Sequence, residues 1–509
     1  MGYLDDLLAT TAAGFPSRRC LIEQGGTTAS YEQLNVRAEA IAAALRKIGV
    51  RPGDRVGICA PKSIATVAAI FGVLRAGAAY VPVDPSAPMP RSAGIFADCQ
   101  VRAILVVADL AEPLTGSMAD LHPVAVRSAI DAFACLTATG ECVQSGAEIS
   151  YILYTSGSTG KPKGVVHTHA SARAFVDWCS AEFAPQPEDC FSAHAPFHFD
   201  LSILDLFVPI KHGASIRIIG ADEGKQPAAL VDLLAKGQLT FWYSTPTVLR
   251  SMMEYGGLAD RDIPGLRIIC FAGEVFPIKH LKALAAILSR PAYYNLFGPT
   301  ETNVCTYFRF GDIAALDDRA DVPIGFASSD DELMICDPDF RKVAVGEPGE
   351  LFVTGGSVMT GYWGLPQRNA VSFADIDGQR WYRTGEIVLL RADGALLYRG
   401  RADRMVKRRG HRIELGEIEA AMLRHPDIVQ GAAVAVPDPS GDMQIVFFHR
   451  WSGSGAPSAI ILKRHASQQL PMSMIPDRFQ ALAELPMTST DKIDFQKLQD
   501  AARGLFANR

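Results

Sequence analysis

The chain has 509 residues, enough for more than one hydrophobic core, and length alone suggests about three domains. Hydrophobic residues make up 48% and charged residues 20%, the ordinary balance of a globular protein. A net charge of −6 gives no basic field, which argues against a nucleic-acid or anionic-membrane partner. The N-terminus, Met1-Gly2-Tyr3-Leu4-Asp5-Asp6, has neither the basic start nor the apolar run of a secretory signal. No apolar run reaches membrane-spanning length. Ten cysteines are scattered without CxxC pairs, and Cys59, Cys270 and Cys305 sit in apolar runs. They read as reduced core thiols of a cytoplasmic protein rather than as disulfides or zinc ligands.

Ser30-Tyr31-Glu32-Gln33 has the pattern of a capping box. Leu34, Ala38, Ile41, Ala42 and Leu45 follow at helical spacing, and Gly49 is a plausible stop. The pattern predicts a strand over 55–60, a helix over 64–75 and a strand over 79–83, a β-α-β rhythm that implies parallel sheet. An apolar strand ends at Tyr154, where the sequence becomes Tyr154-Thr155-Ser156-Gly157-Ser158-Thr159-Gly160-Lys161-Pro162-Lys163-Gly164. Two glycines accept positive φ, so successive N–H groups can converge on one point, while hydroxyls and lysines add donors and charge. That chemistry suits a polyphosphate. The spacing is not that of a Walker A loop, because two residues rather than four separate the glycines and Lys161 precedes Pro162.

Further along, a helix is expected over 202–208, a strand over 216–219, a helix near 228–236 and a strand over 239–243. No internal repeat is visible. The clearest boundary lies near 400, where the charged stretch from Tyr398 to Arg412 precedes a helical pattern through Leu415, Ile418 and Met422.

The loop at 154–164 resembles the phosphate-binding signature of the adenylate-forming superfamily, which contains acyl- and aryl-CoA ligases, luciferases and the adenylation domains of non-ribosomal peptide synthesis. The resemblance runs from Tyr31 to Lys492, through the ordered core motifs of those adenylation domains. These include 74–84, Phe199-Asp200-Leu201-Ser202, Asn295 to Glu301, Gly349-Glu350-Leu351 with Gly361-Tyr362, and 382–386. The series continues with 400–419, Leu470-Pro471 with Ile475-Pro476, and 490–494. The resemblance implies an α/β fold: a large N-terminal adenylation core over 1–402 and a small mobile α+β lid over 403–509, with its hinge near Asp403.

The same resemblance implies that a carboxylate and ATP give an acyl-adenylate and pyrophosphate. Thr155, Ser156, Gly157, Ser158, Thr159, Gly160, Lys161 and Lys163 would cradle the phosphates. Glu301 matches the Mg²⁺-ligating glutamate, a hard oxygen donor. On residues alone it could equally be a helix-start carboxylate after Gly298-Pro299-Thr300. Asn295 and Phe297 match the adenine-binding residues, and Leu296, Gly273, Glu274, Gly298, Pro299 and Thr300 belong to the same implied nucleotide-binding set. Lys492 matches the mobile catalytic lysine, and Glu386 and Arg401 the ribose-binding pair. Two positions depart from the family pattern: Glu386 stands where Asp is usual, and Asp491 where Gly usually precedes the lysine.

Asp200 matches the aspartate that pairs with a substrate α-ammonium, which favours an amino or imino acid over a fatty or aryl acid, because a buried carboxylate needs a cationic partner. Without the motif it could be a helix N-cap. Motif alignment places Leu201, Leu204, Tyr243, Cys270, Ala272, Leu296, Val304 and Cys305 around the side chain. This lining is apolar and carries no second charge. It resembles the pocket of free-standing L-prolyl-AMP ligases of pyrrole-forming pathways, so proline is the expected substrate and another small apolar amino acid the alternative. After Lys492 only 17 residues remain, too few for a carrier domain. The expected acceptor is the phosphopantetheine thiol of a separate carrier protein, with CoA, as in an acyl- or aryl-CoA ligase, as the alternative. A non-catalytic ligand-binding module is the reading furthest from this one.

Overall fold

The computed structural model describes residues 2–140, 142–143, 145–155, 161–317, 321–401, 404–452, 458–486 and 493–506. By contacts the chain divides into two compact units rather than the three that length suggests. One comprises Met1–Pro85, Ala93–Tyr154 and Gly164–Ala402; the other comprises Ser86–Ser92, Thr155–Lys163 and Asp403–Arg509. The expected hinge residue Asp403 lies outside the described residues.

The first unit follows the β-α-β rhythm of its sequence. Ser30 caps the helix Tyr31–Lys47: its hydroxyl accepts from Gln33 N at 3.2 Å, and the Gln33 side chain accepts from Ser30 N at 2.8 Å. Leu34, Ala38, Ile41, Ala42 and Leu45 are all buried, as their spacing requires. The strands Arg55–Cys59 and Ala79–Pro82 pair in parallel on either side of the helix Ile64–Arg75. They belong to an eight-stranded sheet among the described residues, which also holds Ile149–Thr155, Lys163–Thr168 and Gly361–Tyr362.

A second sheet, nine-stranded among the described residues, carries the parallel series Arg19–Ile22, Ser215–Ile218, Cys190–Ala193, Phe241–Ser244, Ile268–Ala272 and Ala292–Phe297. One continuous core cluster includes Val56, Ile58 and Tyr80 of the first sheet and Phe241, Cys270 and Leu296 of the second. The helices Tyr31–Lys47, Ile64–Arg75, His169–Phe183 and Leu201–His212 contribute to the same cluster. Each fully buried Leu, Ile or Phe there contributes about 1.5–3 kcal/mol. A smaller antiparallel sheet contains Glu332–Cys336, Pro348–Thr354, Gln379–Leu390 and Leu396–Arg401.

The second unit builds its own core. The strands Ile428–Pro437, Met443–Trp451 and Arg478–Ala481 form a sheet covered by the helices Leu415–Met422, Ala459–Gln469 and Phe495–Phe506, with Ile418, Phe447, Leu462 and Leu498 buried. No disulfide joins the cysteines. Among the described residues no helix is long and apolar enough to cross a membrane.

Candidate active site

Strand alternation gathers several of the expected lining residues on one apolar face of the sheet. Across the parallel strands, Tyr243 lies opposite Cys270 and Ala272 opposite Leu296. Cys270 and Ala272 are two residues apart on one strand, so all four side chains share one face of the sheet. Leu204 of the helix Leu201–His212 packs into the same cluster with Val304, and Leu201 lies against it. Tyr243, Leu204 and Cys270 are at most 1% exposed. Cys305 does not join them. It follows Val304 in an extended segment and turns the other way, into a cluster with Phe297, Ile324 and Val353.

Asp200 occupies the N-cap position of the helix Leu201–His212, yet its side chain makes no capping hydrogen bond. The capping alternative is therefore absent, and the carboxylate is committed elsewhere. It is half-buried, and its charge bears on two phenols. Burial raises the Tyr243 pKa well above the ordinary value and Asp200 raises it further; for Tyr151, burial again dominates and Asp200 adds to it. Both phenols stay neutral beside Asp200, and the buried Asp205 of the same helix adds to the effect on Tyr243. Tyr151 also accepts from Asn303 Nδ2 at 3.2 Å. Tyr151 and Asn303 carry no signal in the sequence, because each looks like an ordinary strand or turn residue until the fold brings Tyr151 to Asp200 and Asn303 to Tyr151.

The polar corner of the site is built by turns. Residues 300–303 form a turn and no helix follows, so the helix-start reading of Glu301 fails. A Cβ on Gly298 would lie 2.4 Å from Asn303 O, which makes this tight turn specific for glycine. Glu301 is fully buried. Tyr362 Oη donates to its Oε1 at 2.5 Å, and Met359 N donates to its backbone carbonyl at 2.8 Å. His167 Nε2 donates to Thr300 O at 2.8 Å, which leaves Nδ1 to accept from Ser171 Oγ at 3.1 Å. Burial lowers the His167 pKa to about 4, so the ring is neutral. Among the described residues no three His, Cys, Asp or Glu side chains gather as a self-sufficient metal site. One buried carboxylate fits a Mg²⁺ ion that takes its other ligands from phosphates and water.

Thr155 ends the strand Ile149–Thr155, and its Oγ1 is buried with no hydrogen-bond partner among the described residues. A buried hydroxyl without a partner is costly unless a ligand completes it. Lys161 is exposed and Lys163 buried. Ser156, Gly157, Ser158, Thr159 and Gly160 lie outside the described residues, as does Lys492.

Of the residues expected at the nucleotide, Asn295 points to the sheet face opposite Cys270 and Leu296, in register with Phe271, and its Nδ2 donates to Pro323 O at 2.7 Å. Phe297 packs against Tyr398, ring centroids 5.5 Å apart. Gly273 has φ +88° after its strand, and the neighbouring Glu274 accepts from Thr247 N and Oγ1 at 3.1 and 2.7 Å. Glu386 and Arg401 stand directly opposite each other on adjacent antiparallel strands and form an ion pair at 2.8 Å, both deeply buried. The structure thus joins the two residues expected at the ribose to one another.

Residues 8–363 match the family described as AMP-binding enzyme, and residues 417–492 match the AMP-binding enzyme C-terminal domain. An L-proline--[L-prolyl-carrier protein] ligase of Pseudomonas fluorescens is 39% identical over 503 residues, covering 97% of this chain and 98% of that protein. A ligase of the same description from Streptomyces coelicolor is 35% identical over 500 residues, covering 93% of this chain and 92% of that protein. Among solved structures, the amide bond synthetase McbA of Marinactinospora thermotolerans superposes with a TM-score of 0.85 at 21% identity, covering 98% of this chain and 99% of that one, a likeness of fold. The chain belongs to the AMP-binding enzyme family.

Proposed function

We propose that the enzyme activates L-proline as prolyl-AMP and passes the prolyl group to the phosphopantetheine thiol of a carrier protein. A proline carboxylate oxygen attacks the α-phosphorus of ATP, the bond to the β-phosphate oxygen breaks, and pyrophosphate leaves. The thiol then displaces AMP and gives a prolyl thioester. The observation that carries the reading is Asp200. Its half-buried carboxylate beside a largely apolar set of side chains suits a compact substrate with a cationic nitrogen and no polar side chain. The two ligases that match almost end to end support the same substrate and a carrier-protein acceptor.

In this reading Asp200 accepts hydrogen bonds from the proline ring nitrogen, and Leu204, Tyr243, Cys270, Ala272, Leu296 and Val304 enclose the ring. Glu301 holds Mg²⁺, which supplies positive charge against the phosphates. Thr155 and the residues after it bind the leaving pyrophosphate, with the Thr155 hydroxyl as donor. Asn295 and Phe297 receive adenine, and Arg401 steadies Glu386 toward the ribose. Residues from 403 onward act as a lid that brings Lys492 between the carboxylate and the α-phosphate and then withdraws it. Cytoplasmic placement fits cysteines without disulfides.

ATP–pyrophosphate exchange with a panel of amino acids tests the reading. The expected result is strongest exchange with L-proline. Strong exchange with another acid while proline is inactive would overturn the substrate; no exchange with any acid would overturn the activity.

A further inference from the structure

Residues 328–331 form a turn that the mechanism above does not use. Ser329 and Asp330 both adopt left-handed backbone, φ 55° and 56°, which is costly in two successive residues other than glycine. Asp331, 6% exposed, closes the turn, with its N–H donating to Ser328 O at 2.8 Å. Its carboxylate then reaches across to a second loop. Ser357 N donates to Asp331 Oδ1 at 3.1 Å, and Ser357 Oγ donates to Oδ2. The second loop is shaped for that contact: a Cβ on Gly355 would lie 2.5 Å from Asp331 Oδ1. Burial raises the Asp331 pKa to about 7 against the lowering effect of the Ser357 hydrogen bonds, so this carboxyl sits in the interior at a cost.

The loop that Asp331 grips is the one that grips Glu301. Two residues beyond Ser357, Met359 N donates to the Glu301 carbonyl at 2.8 Å; five residues beyond, Tyr362 Oη donates to its carboxylate at 2.5 Å. At its far end the loop is fixed by pairing of Gly361 and Tyr362 with Val166 and Val165. At its near end the carboxylate of Asp331 holds Ser357 by two hydrogen bonds. We infer that Asp331, through Ser357, is a positioning residue for the metal-binding carboxylate: it fixes the near end of the segment that aims Glu301. The inference rests on the assignment of Glu301 as the Mg²⁺ ligand. Outer partners of a metal ligand typically carry about 10–100-fold in metal affinity, and a residue one step further out belongs at the lower end.

The test compares equilibrium ATP affinity by titration calorimetry with Mg²⁺ and with a chelator present, in the full-length chain. The ratio of the two affinities isolates the metal contribution from any general loss of folded protein. In Glu301→Gln the ratio should collapse. In Asp331→Asn and Ser357→Ala it should fall by about tenfold, while ATP affinity in chelator stays unchanged. An unchanged ratio in both Asp331→Asn and Ser357→Ala, beside a collapsed one in Glu301→Gln, overturns the inference alone. An unchanged ratio in Glu301→Gln overturns the metal assignment, and the inference with it. Because Ser357→Ala removes only a hydroxyl, it keeps the inference open to refutation if Asp331→Asn does not fold.

Discussion

The apolar face proposed to receive the amino acid and the corner around Glu301 are built by opposite means. The apolar face is a lattice: four side chains on neighbouring parallel strands share it because alternation and register leave no other choice. The Glu301 corner is a knot of turns, held by a glycine against Asn303 O, a neutral buried histidine and a tyrosine on a distant loop. In the proposed function the first selects by shape beside the charge of Asp200. The second, proposed to face the phosphates, holds a buried carboxylate and depends on each hydrogen bond. A lattice tolerates substitution in proportion to volume, whereas a knot fails when one strand of it is cut.

The largest effect should therefore come from the charged groups that meet the phosphates. Lys492→Ala should lower proline-dependent pyrophosphate exchange by about 10²–10³-fold, the cost of removing one preorganised charge from a developing negative centre. ATP binding by calorimetry should survive. Loss of both together would place Lys492 in ground-state binding instead, and an unaffected exchange rate would remove it from the chemistry.

Asp200 is the charged group beside the apolar face, and its removal comes next. Asp200→Ala should cost about 2–3 kcal/mol in kcat/KM for proline, near the low end for a broken charge pair because the residue is half-buried. The KM for ATP should not move. An Asp200→Ala enzyme as active as the parent would refute recognition of a cationic nitrogen and revive an aryl or fatty acid substrate.

Within the lattice the effects should be smaller and graded. Ala272→Val adds two methyl carbons to the apolar face beside Leu296 and should weaken proline by about 1–3 kcal/mol, the value of such a change in a packed pocket. A smaller amino acid such as alanine should lose less. Equal losses for both would mean that residue 272 does not line the pocket.

How far each region was legible follows from the same contrast. Periodicity found the helix Tyr31–Lys47 to within a few residues, and its capping box formed as written. The helix starting at Leu201 ran on to His212, past the expected end at 208, with Pro209 in its last turn. The strand expected over 239–243 begins only at Phe241, because propensity places ends less well than cores. The shared face of Tyr243, Cys270, Ala272 and Leu296 follows from strand alternation and register, while Cys305, one residue after Val304, falls in another cluster. In the polar corner the residue types were readable but their partners were not. Glu386 and Arg401 meet through strand register, and Tyr362 meets Glu301 through a loop 61 residues away in sequence. The left-handed turn at Ser329 and Asp330 had no signal, since tertiary hydrogen bonds rather than glycine impose it.

The smallest effect is one of pH, and it pits two residues behind the Glu301 corner against each other. His167 has its pKa lowered by burial from 6.5 to about 4. Below pH 6.5 the unfolded chain takes up this proton and the folded chain does not, so stability falls as pH drops from 6.5 toward 4. Asp331 is shifted upward by burial, from 3.8 to about 7. Between those values the folded chain holds a proton that the unfolded chain has lost, so its contribution is fully present below pH 3.8 and disappears as pH rises through 7. The two slopes oppose each other over the window from about 4 to 6.5. Asp331→Asn removes one of them and leaves the histidine unopposed, so the melting temperature of that variant should fall more steeply on acidification than that of the parent. Thermal melts at half-unit intervals from pH 4 to 7.5 measure the difference. Parallel curves for parent and variant would mean that Asp331 titrates alike in the folded and unfolded chains, and that the Ser357 hydrogen bonds, not burial, set its charge.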